Sequence, residues 1–493
     1  MKNVLLIVVL LIMSLTACTQ ETGTFLSKPE LTVYAGPDGA PVNTTFSVFV
    51  KYEGGEWIDL HEYDAEVDAG YLKKPEEHMA FVSFDSDYSK KIDIKVVKNK
   101  GKIETVKIRP TISGVKPVVE GNTITFSITE PIKLSVEIND DLYNNLMVFA
   151  NSLEIEKPNP DDPKVHYFGP GIHKLGSDGK GNLFLDDNET VYIAGGAIVY
   201  GTIKSFATQN ISITGRGILG GGMYTDHAYP HPGAKGLINF IAVNNAKIEG
   251  ITLLNTVSWN IHLFGSQNIE CRNLKIIGWT INSDGIDPQC SSDIIIDDCF
   301  VRNFDDCVSI KMNYGLSPIL FEKASKNITV QNCIFWTDQG RSILIGPESY
   351  RAKDNIYENI TIKNIDILYN ENFDVDWAKG ALAINLGDNA IARNITFEDI
   401  RVDKLGNKTN LITLTMDKYT YNVSEAKRME NIQFNNITLN SEQNYRNYIW
   451  GFDKSKIISD VQFNNLIING KKIKNAKQGW FDVNEHINNI TFK

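Results

Sequence analysis

The chain has 493 residues, of which 42% are hydrophobic and 22% charged, a composition typical of a globular protein with two or three domains. This excludes the disordered and fibrous classes. The formal net charge of −11 argues against a nucleic-acid-binding protein, because such a protein needs a clustered positive surface.

The N-terminus predicts export. Residues 1–17, MKNVLLIVVLLIMSLTA, place Lys2 before an apolar stretch of about a dozen residues, which is too short to span a bilayer. The stretch LTAC, which ends at Cys18, resembles a bacterial lipoprotein signal, in which the cysteine is lipidated after cleavage. We therefore expect a signal peptide over 1–17 and a tether over 18–30 that anchors an exported lipoprotein in the periplasm or at the outer membrane surface. An ordinary secretory peptide is the alternative.

The remaining cysteines predict neither a zinc site nor a disulfide scaffold. Their number is odd and none forms a CxxC pair, so we expect small core residues. They are Cys271, Cys290, Cys299, Cys307 and Cys333.

Residues 31–155 contain short alternating runs that are separated by Gly, Asn, Asp and Pro. Six or more short strands of this kind predict a β-sandwich domain. The Pro- and Asp-rich stretch EKPNPDDP predicts a linker over residues 156–164. The runs include FSVFVKY, MAFVSFD, IDIKVVKN, ETVKIRP, NTITFSI and KLSVEIN.

Beyond the linker one pattern recurs, in which a polar residue, usually Asn, precedes alternating apolar residues. From Asn268 onward the starts are 25 to 37 residues apart, which indicates a solenoid. Runs of period two fit parallel strands, and no segment of helical period persists. We predict an all-β chain in which a right-handed parallel β-helix, residues 165–493, follows the sandwich. The repeats are NISITGRGIL at Asn210, NIECRNLKII at Asn268, DIIIDDCFV at Asp293, NITVQNCIF at Asn327, NITIKNIDI at Asn359, NITFEDIRV at Asn394 and NIQFNNITL at Asn431.

Two features of the repeat are predicted to be structural. Cys299 and Cys333 each follow the start of their repeat by six residues, so we expect them to stack inside the helix. The repeated Asn is expected to form a ladder of turns, because Asn tolerates the left-handed conformation and bonds nearby backbone.

Acidic residues are dense in the stretch NSDGIDPQCSSDIIIDDCFVRNFDDCVSIK, residues 282–311. Strand alternation would bury Asp306 together with Val308. A buried carboxylate without a partner is costly, so we expect the chain to bend before Cys307 and to carry both Asp305 and Asp306 outside the coil.

The same conflict occurs one coil earlier. Asp284 shares its phase with Ile286, and Gly285 offers a point at which the strand could bend. Asp284 precedes Asp306 by 22 residues, so stacking of coils would place the two at the strand spacing of about 5 Å. Three such carboxylates cannot all ionise freely, and glycoside hydrolysis needs this division into acid and base. A calcium site or a solvated acidic turn is the alternative.

The motifs NSDGID and NFDDCVSIK, whose first aspartates are 21 residues apart, resemble the paired motifs of glycoside hydrolase family 28, the polygalacturonases. The stretches NTVSWNIHLFGSQNIECRNLKI, VYIAGGAIVYGTI and ISITGRGIL are similar to other coils of that family. The resemblance spans residues 191–346 and implies a polysaccharide-degrading hydrolase that inverts the anomeric configuration.

The resemblance also implies roles for six residues. Asp305 resembles the general acid, and Asp284 and Asp306 resemble the carboxylates that activate water. The positions that border the cleft are Asp287, Lys311 and His262.

The sequence departs from the family in two places. The family carries a Gly-His-Gly coil where this chain reads DQGRSILIGPE, with Gly340 or Arg341 in place of the His. The family then carries Arg-Ile-Lys, which clamps the galacturonate carboxylate, where this chain reads GALAINLG, residues 380–387. Because a bidentate Arg is the natural carboxylate clamp, its loss weakens the expectation of a uronic acid. We hypothesise that Arg341 substitutes for it.

The sequence allows alternatives for both the substrate and the activity. A sandwich before a β-helix also resembles glycoside hydrolase family 49, the dextranases, which act on neutral α-glucan. Arg341 and Trp377 are candidate subsite residues, since sugars stack on rings and need paired polar groups.

A β-helix polysaccharide lyase and a non-catalytic glycan-binding surface lipoprotein are the alternative functions, and the spacing of the three aspartates favours the hydrolase. The expected partners are a polysaccharide or oligosaccharide and a membrane; no nucleic acid, cofactor or metal is expected.

Overall fold

A computed structural model shows how the chain folds. Cys18 and Trp377 lie outside the residues that it describes, so the predictions made for them stay predictions. The described residues are 30–67, 77–176, 181–221, 236–256, 258–312, 324–346, 348–349, 355–372, 380–416, 422–443 and 445–493.

The N-terminal part is a sandwich of two sheets, and every predicted run quoted above overlaps one of its strands. Alternate residues of both sheets form one apolar core. A short 3-10 helix, Thr111–Ser113, follows one edge strand. The first sheet has the order β1 (Leu31–Val33), β5 (Glu77–Ser86), β11 (Leu146–Ser152), β10 (Ile132–Ile138) and β7 (Val106–Arg109), with β4 (Tyr63–Val67) paired to β5. The second has the order β3 (Ile58–Asp59), β2 (Phe46–Tyr52), β6 (Ile92–Lys98), β9 (Thr123–Ile128) and β8 (Val118–Glu120).

The remaining strands form a right-handed parallel β-helix, so the predicted fold class is confirmed. A sheet of 11 strands makes one wall, and a sheet of 19 strands makes the rest of the coil. Their inward side chains form a continuous core. The 11-stranded sheet consists of β14 (Asn182–Leu185), β17 (Thr202–Phe206), β20 (Ile238–Ile241), β23 (Ile261–Phe264), β26 (Ile286–Gln289), β29 (Val308–Ile310), β31 (Ile343–Ile345), β33 (Leu382–Leu386), β35 (Ile412–Met416), β37 (Asn447–Trp450) and β40 (Phe481–Val483).

The 19-stranded sheet follows the chain from coil to coil. Its strands are β12 (Val165–Phe168), β13 (Gly171–Lys174), β15 (Thr190–Ile193), β16 (Ala197–Tyr200), β18 (Gln209–Gly215), β19 (Ile218–Gly220), β21 (Asn244–Glu249), β22 (Thr252–Thr256), β24 (Gln267–Arg272), β25 (Lys275–Gly278), β27 (Ser292–Asp297), β28 (Phe300–Asn303), β30 (Ser325–Thr337), β32 (Ile356–Asn370), β34 (Ile391–Val402), β36 (Arg428–Leu439), β38 (Ile458–Ile468), β39 (Lys471–Lys472) and β41 (Ile487–Phe492).

Both predicted ladders are present. The first residues of the seven repeats all adopt a positive φ, between 53° and 58°. Their side chains bond between coils, as where the Asn359 amide donates to Asn327 at 3.2 Å and the Asn394 amide donates to Asn359 at 3.2 Å. Inside the helix, the backbone N–H of Cys299 lies 3.4 Å from the Sγ of Cys333. Each coil therefore contacts the next through side chains that recur at the same position of the repeat.

The sandwich packs directly on the β-helix. One apolar cluster contains residues of β4, β5 and β11 together with residues of the 19-stranded sheet. The rings of Phe149 and Phe300 lie 5.2 Å apart across this contact. The fully buried Arg302 donates to the Asn145 Oδ1 at 3.0 Å and to the Leu142 carbonyl at 2.8 Å. The contact thus combines apolar packing with a buried cation. Within the described residues, no helix has the length and apolar character needed to cross a membrane.

Candidate active site

The three aspartates predicted to be catalytic lie in two turns that stack on each other. Asp284 precedes β26, and Asp305 and Asp306 precede β29. These two strands pair in parallel. The backbone N–H of Gly285 donates to the Asp306 carbonyl at 2.8 Å. The predicted stacking of the two coils is therefore observed.

The bend predicted before Cys307 is also present. Cys307 belongs to the apolar core, whereas Asp305 and Asp306 lie in the turn outside it. Their side chains are nevertheless shielded, since Asp305 is 9% exposed and both Asp306 and Asp284 are 3% exposed. Leaving the core has not brought these carboxylates into bulk water, so their pKa values depend on their immediate neighbours.

Two glycines allow the turns to approach this closely. A Cβ atom at Gly285 would lie 2.3 Å from the carbonyl oxygen of Cys307. A Cβ atom at Gly340 would lie 2.3 Å from the carbonyl carbon of Asp305. Both contacts are with backbone, which cannot move aside as a flexible side chain could. Glycine is therefore required on both neighbouring coils.

Lys311 forms ion pairs with the acidic residues on one side of the site. Its Nζ lies 2.7 Å from the Asp284 Oδ2, 3.1 Å from the Asp287 Oδ2 and 3.6 Å from the Glu348 Oε1. The same ammonium lies 4.4 Å from the ring centroid of Trp259. A single buried cation thus balances up to three carboxylates and rests on an aromatic face.

Arg341 binds Asp306 on the other side. Its Nη1 donates to the Asp306 Oδ1 at 3.1 Å and to Oδ2 at 3.4 Å, and its backbone N–H donates to Oδ1 at 2.9 Å. The prediction that Arg341 contacts substrate stays a prediction. In the structure, part of its guanidinium already faces a carboxylate of the protein.

Asp305 has a different environment. Its Oδ1 accepts the backbone N–H of Asp306 at 3.0 Å, and its Oδ2 accepts the backbone N–H of Asn282 at 3.1 Å. Among the described residues, no lysine or arginine forms an ion pair with it. Burial, followed by the charges of Asp284 and Asp306, raises the pKa of Asp305 well above its usual range. Asp305 is therefore poised to carry a proton.

The pKa values of the Lys311 cluster are shifted as well. Burial raises the pKa of Asp284, although the nearby Lys311 ammonium opposes the shift. Burial and the charge of Asp284 raise the pKa of Asp287 well above its usual range. Burial alone would lower the pKa of Lys311, but Asp284 and Asp287 outweigh it and raise that pKa. The ammonium therefore keeps its proton at neutral pH.

His262 stands beside Asp287 on the next strand of the sheet. Its Nε2 lies 2.9 Å from the Gln289 Oε1, and its ring lies 5.0 Å from the ring of Trp259. The side chain is buried. The position predicted to border the cleft is thus adjacent to the cluster, and its Nε2 faces a neutral amide.

A cation of the protein itself lies among the carboxylates that a calcium site would use. Among the residues that the structure describes, no group of three or more His, Cys, Asp or Glu side chains is arranged to hold a metal ion. The Lys311 ammonium instead occupies the place between Asp284 and Asp287 where a cation would be bound.

The structure brings together seven of the eight predicted catalytic and substrate-binding residues; Trp377 lies outside the described part. The interpretation of the sequence overlooked Gln289 as the partner of His262 and Trp259 as the ring under Lys311. Period-two alternation from Asp287 would have placed Gln289 on the same face. No local signal places Trp259 beside a lysine two coils later, since only stacking of the coils does so.

The comparisons with known proteins agree with this fold and these motifs. The family described as Glycosyl hydrolases family 28 matches residues 198–486. A probable polygalacturonase of Vitis vinifera is 29% identical over 114 residues, which cover 23% of this chain and 23% of the relative. A polygalacturonase of Medicago sativa is 25% identical over 267 residues, which cover 49% of this chain and 56% of the relative. The chain thus spans between about a quarter and just over half of these curated relatives' lengths.

One solved structure is similar along nearly the whole chain. It is Dex49A from Penicillium minioluteum, with a TM-score of 0.61 and 17% identity, and the match covers 93% of this chain and 96% of that one. At this identity the likeness shows a shared fold. The likeness therefore extends to the N-terminal sandwich as well as to the β-helix.

Proposed function

This chain belongs to glycosyl hydrolases family 28, and from that membership we propose that it hydrolyses α-glycosidic bonds of a polysaccharide or oligosaccharide with inversion at the anomeric carbon. The observation that carries the proposal is the unequal environment of the three aspartates. Asp284 and Asp306 each face a buried cation, whereas Asp305 forms no ion pair among the described residues, and burial raises its pKa well above its usual range. One acid therefore stands beside two carboxylates.

In the proposed reaction, Asp305 gives its proton to the glycosidic oxygen, and the bond from that oxygen to the anomeric carbon breaks. Asp284 or Asp306 takes a proton from a water molecule, whose oxygen bonds to the anomeric carbon from the opposite face. The products are an alcohol and a sugar hemiacetal of inverted configuration. Asp305 is left ionised and the base protonated, and exchange with solvent restores both.

The cations support the two bases. Lys311 pairs with Asp284 and Arg341 pairs with Asp306, whereas burial raises the pKa of Asp305 and favours its protonated form. The raised pKa of Asp284 fits this role, because a carboxylate with a higher pKa is a stronger base.

The test is proton NMR of the first product released from a panel of pectic, rhamnogalacturonan and α-glucan polymers, with reducing ends followed in parallel. We expect the inverted anomer. The variant Asp305→Asn should lower the rate by at least about a hundredfold. The matched control is Asp293→Asn, because Asp293 belongs to the ladder of turns, where an Asn keeps the bond from Asn327.

Three results would contradict the proposal. A retained anomer would exclude water activation by Asp284 and Asp306. An unsaturated product that absorbs in the ultraviolet would identify a lyase. Binding of a glycan without any product, unchanged in Asp305→Asn, would identify a non-catalytic binding protein.

We also propose that the protein is an exported lipoprotein that is anchored through Cys18 to a membrane at the cell surface or in the periplasm. Support comes from the stretch LTAC at residues 15–18. Expression with a labelled fatty acid should label the wild-type chain and leave Cys18→Ser unlabelled. Equal labelling of the two chains, or a wild-type chain that is released without lipid, would contradict the anchor.

A further inference from the structure

We infer that the sugar units bound at the three aspartates are neutral and carry no carboxylate. This inference rests on the proposed function, since it names the substrate class of the same site. It depends on two observations: the balance of charge in the site, and the side chains on the wall that continues from it.

Among the residues that the structure describes, carboxylates outnumber cations in the site. The cations are Lys311 and Arg341, and both face carboxylates of the protein. Even when Asp287 and Asp305 are left out of the count, three carboxyl groups, those of Asp284, Asp306 and Glu348, face these two cations. The five carboxylates of the site belong to Asp284, Asp287, Asp305, Asp306 and Glu348.

A uronic acid would add a further negative charge to this excess. A carboxylate recognised by a protein needs a cation with donors that are not already committed, most often a bidentate arginine. Here the Nη1 of Arg341 and the ammonium of Lys311 have carboxylate partners of their own, and the Nε and Nη2 of Arg341 are buried. An acidic sugar would have to compete with Asp306 or Asp284 for them, and it would weaken the ion pairs that the reaction uses.

The wall beyond the site is neutral. On β31, β33 and β35 the side chains that alternate with the core residues are Leu344, Ala383, Asn385, Thr413 and Thr415. All five are buried. The Thr415 hydroxyl donates to the Asn385 Oδ1 at 3.2 Å, so the polar groups of this wall are neutral hydroxyls and amides. A carboxylate placed there would be desolvated with no counter-ion on the described strands of this wall, which is costly.

Within the strands of the 11-stranded sheet, all of which the structure describes, Lys204 is the one lysine or arginine. It lies on β17, three strands from Asp287 on β26. At the spacing of neighbouring strands that is about 14 Å, which exceeds the screening length of about 8 Å at physiological salt. Lys204 therefore does not neutralise a carboxylate at the aspartates.

The experiment compares two polymers that differ only in charge. Polygalacturonan is converted chemically to its carboxyl-reduced form, in which each uronate becomes a neutral hexose with the same linkage. The purified full chain is given each polymer, and kcat/KM is measured from reducing ends. We expect the neutral polymer to be cleaved at least about tenfold more efficiently, because charge repulsion discriminates against the acidic one.

The dependence of KM on salt concentration provides an independent test. If the acidic polymer is repelled, raising the ionic strength to about 0.15 M screens the repulsion and lowers its KM. A KM that rises with salt would show attraction by a cation and overturn the inference. The variant Lys204→Ala should leave the preference unchanged. Loss of polygalacturonan cleavage in that variant would overturn it as well.

The outcomes separate this inference from the proposed function. Preferred cleavage of polygalacturonan would overturn the neutral sugar and leave the inverting hydrolase standing. If neither polymer is cleaved, dextran, α-1,3-glucan and rhamnogalacturonan are tested next. Inverting cleavage of either glucan supports both statements, and cleavage of rhamnogalacturonan alone overturns the neutral sugar. No product from any polymer would overturn the proposed function, and the inference with it.

Discussion

The Nζ of Lys311 lies 2.7 Å from the Oδ2 of Asp284, and both side chains are almost completely shielded from solvent. The two residues are 27 positions apart in the chain and meet because consecutive coils stack. In water such a pair would contribute little, but in a buried site the cation sets the protonation of its partner.

Replacement of Lys311 should therefore change the pH dependence of catalysis as well as its rate. In Lys311→Met the pKa of Asp284 rises further, because the opposing positive charge is lost. The acidic limb of the kcat profile should move to higher pH, and kcat near neutral pH should fall by at least about tenfold. The measurement is kcat as a function of pH.

The control for this prediction is Lys311→Arg, which keeps the charge and should keep the limb near its wild-type position. A Lys311→Met enzyme whose rate falls while its limb does not move would show that Lys311 serves only the packing of the site.

Asp287 should make stability depend on pH. Its pKa is raised in the folded state, so its contribution to stability is complete below the unfolded pKa of about 4 and is lost as pH rises through the raised value. Its Oδ1 is buried and has no hydrogen-bond partner among the described residues. Each unit of a raised pKa corresponds to about 1.4 kcal/mol. We therefore expect Tm to fall between about pH 4 and about pH 8, and we expect this fall to be smaller in Asp287→Asn than in the wild type.

The control for Asp287 is Asp293→Asn, since the pKa of the partly exposed Asp293 is lowered by its bond from Asn327. That variant should lose no less Tm than the wild type on going to high pH. An Asp287→Asn chain with an unchanged dependence of Tm on pH would contradict the prediction.

Arg302 should link the sandwich to the catalytic turn. Its Nε lies 3.6 Å from the Asp338 Oδ2, and the adjacent Thr337 hydroxyl donates to the Asp305 carbonyl at 2.9 Å. Loss of a buried cation beside a carboxylate typically costs about 3 to 5 kcal/mol. We expect Arg302→Met to lower the free energy of unfolding by an amount of this order and to lower kcat with little change in KM, because it disturbs the Asp305 turn. Thermal unfolding and steady-state kinetics would measure both.

Arg401 offers the matched surface control. It pairs with Asp366 through its Nε, but this ion pair is partly exposed on the outside of a coil. Arg401→Met should cost about 1 kcal/mol or less and leave kcat unchanged. If Arg302→Met behaves like Arg401→Met, the sandwich does not support the site.

The ladder of turns should be sensitive to the backbone conformation of its Asn residues. Asn359 has a φ of 55° and takes part in two ladder bonds. Asn359→Ala forces a residue with a Cβ into the left-handed region, at a cost of about 1 to 2 kcal/mol, and also removes both bonds. Asn359→Gly removes the bonds but keeps the conformation accessible. In denaturant unfolding, the free energy of unfolding should be highest for the wild type, lower for Asn359→Gly and lowest for Asn359→Ala. Equal stability of the two variants would show that the left-handed backbone conformation adds no cost for alanine.

Much of the fold could be predicted because its signals are local. Alternation of apolar residues identified the strands, and a repeated Asn at the start of each strand identified the coils. The same argument located the bend before Cys307, since a phase error between Asp306 and Val308 is visible within three residues. The spacing of 22 residues between Asp284 and Asp306 then placed two coils side by side.

The rest of the site depends on neighbours that are distant in the chain. The sequence placed Arg341 near the cleft, but it did not indicate that its guanidinium would bind Asp306. It suggested that the turns lie outside the core, but not that their carboxylates are shielded from solvent.

By itself, the sequence determined the class of fold, the coil that carries the three aspartates and the family, because strand alternation and motif spacing are properties of short stretches of chain. Only the tertiary structure decided which aspartates face a cation and which one has its pKa raised by burial without an ion pair among the described residues. That assignment depends on distances of about 3 Å between side chains from different coils, and electrostatic energies in a buried site change steeply over such distances. Stacking of the coils sets those distances.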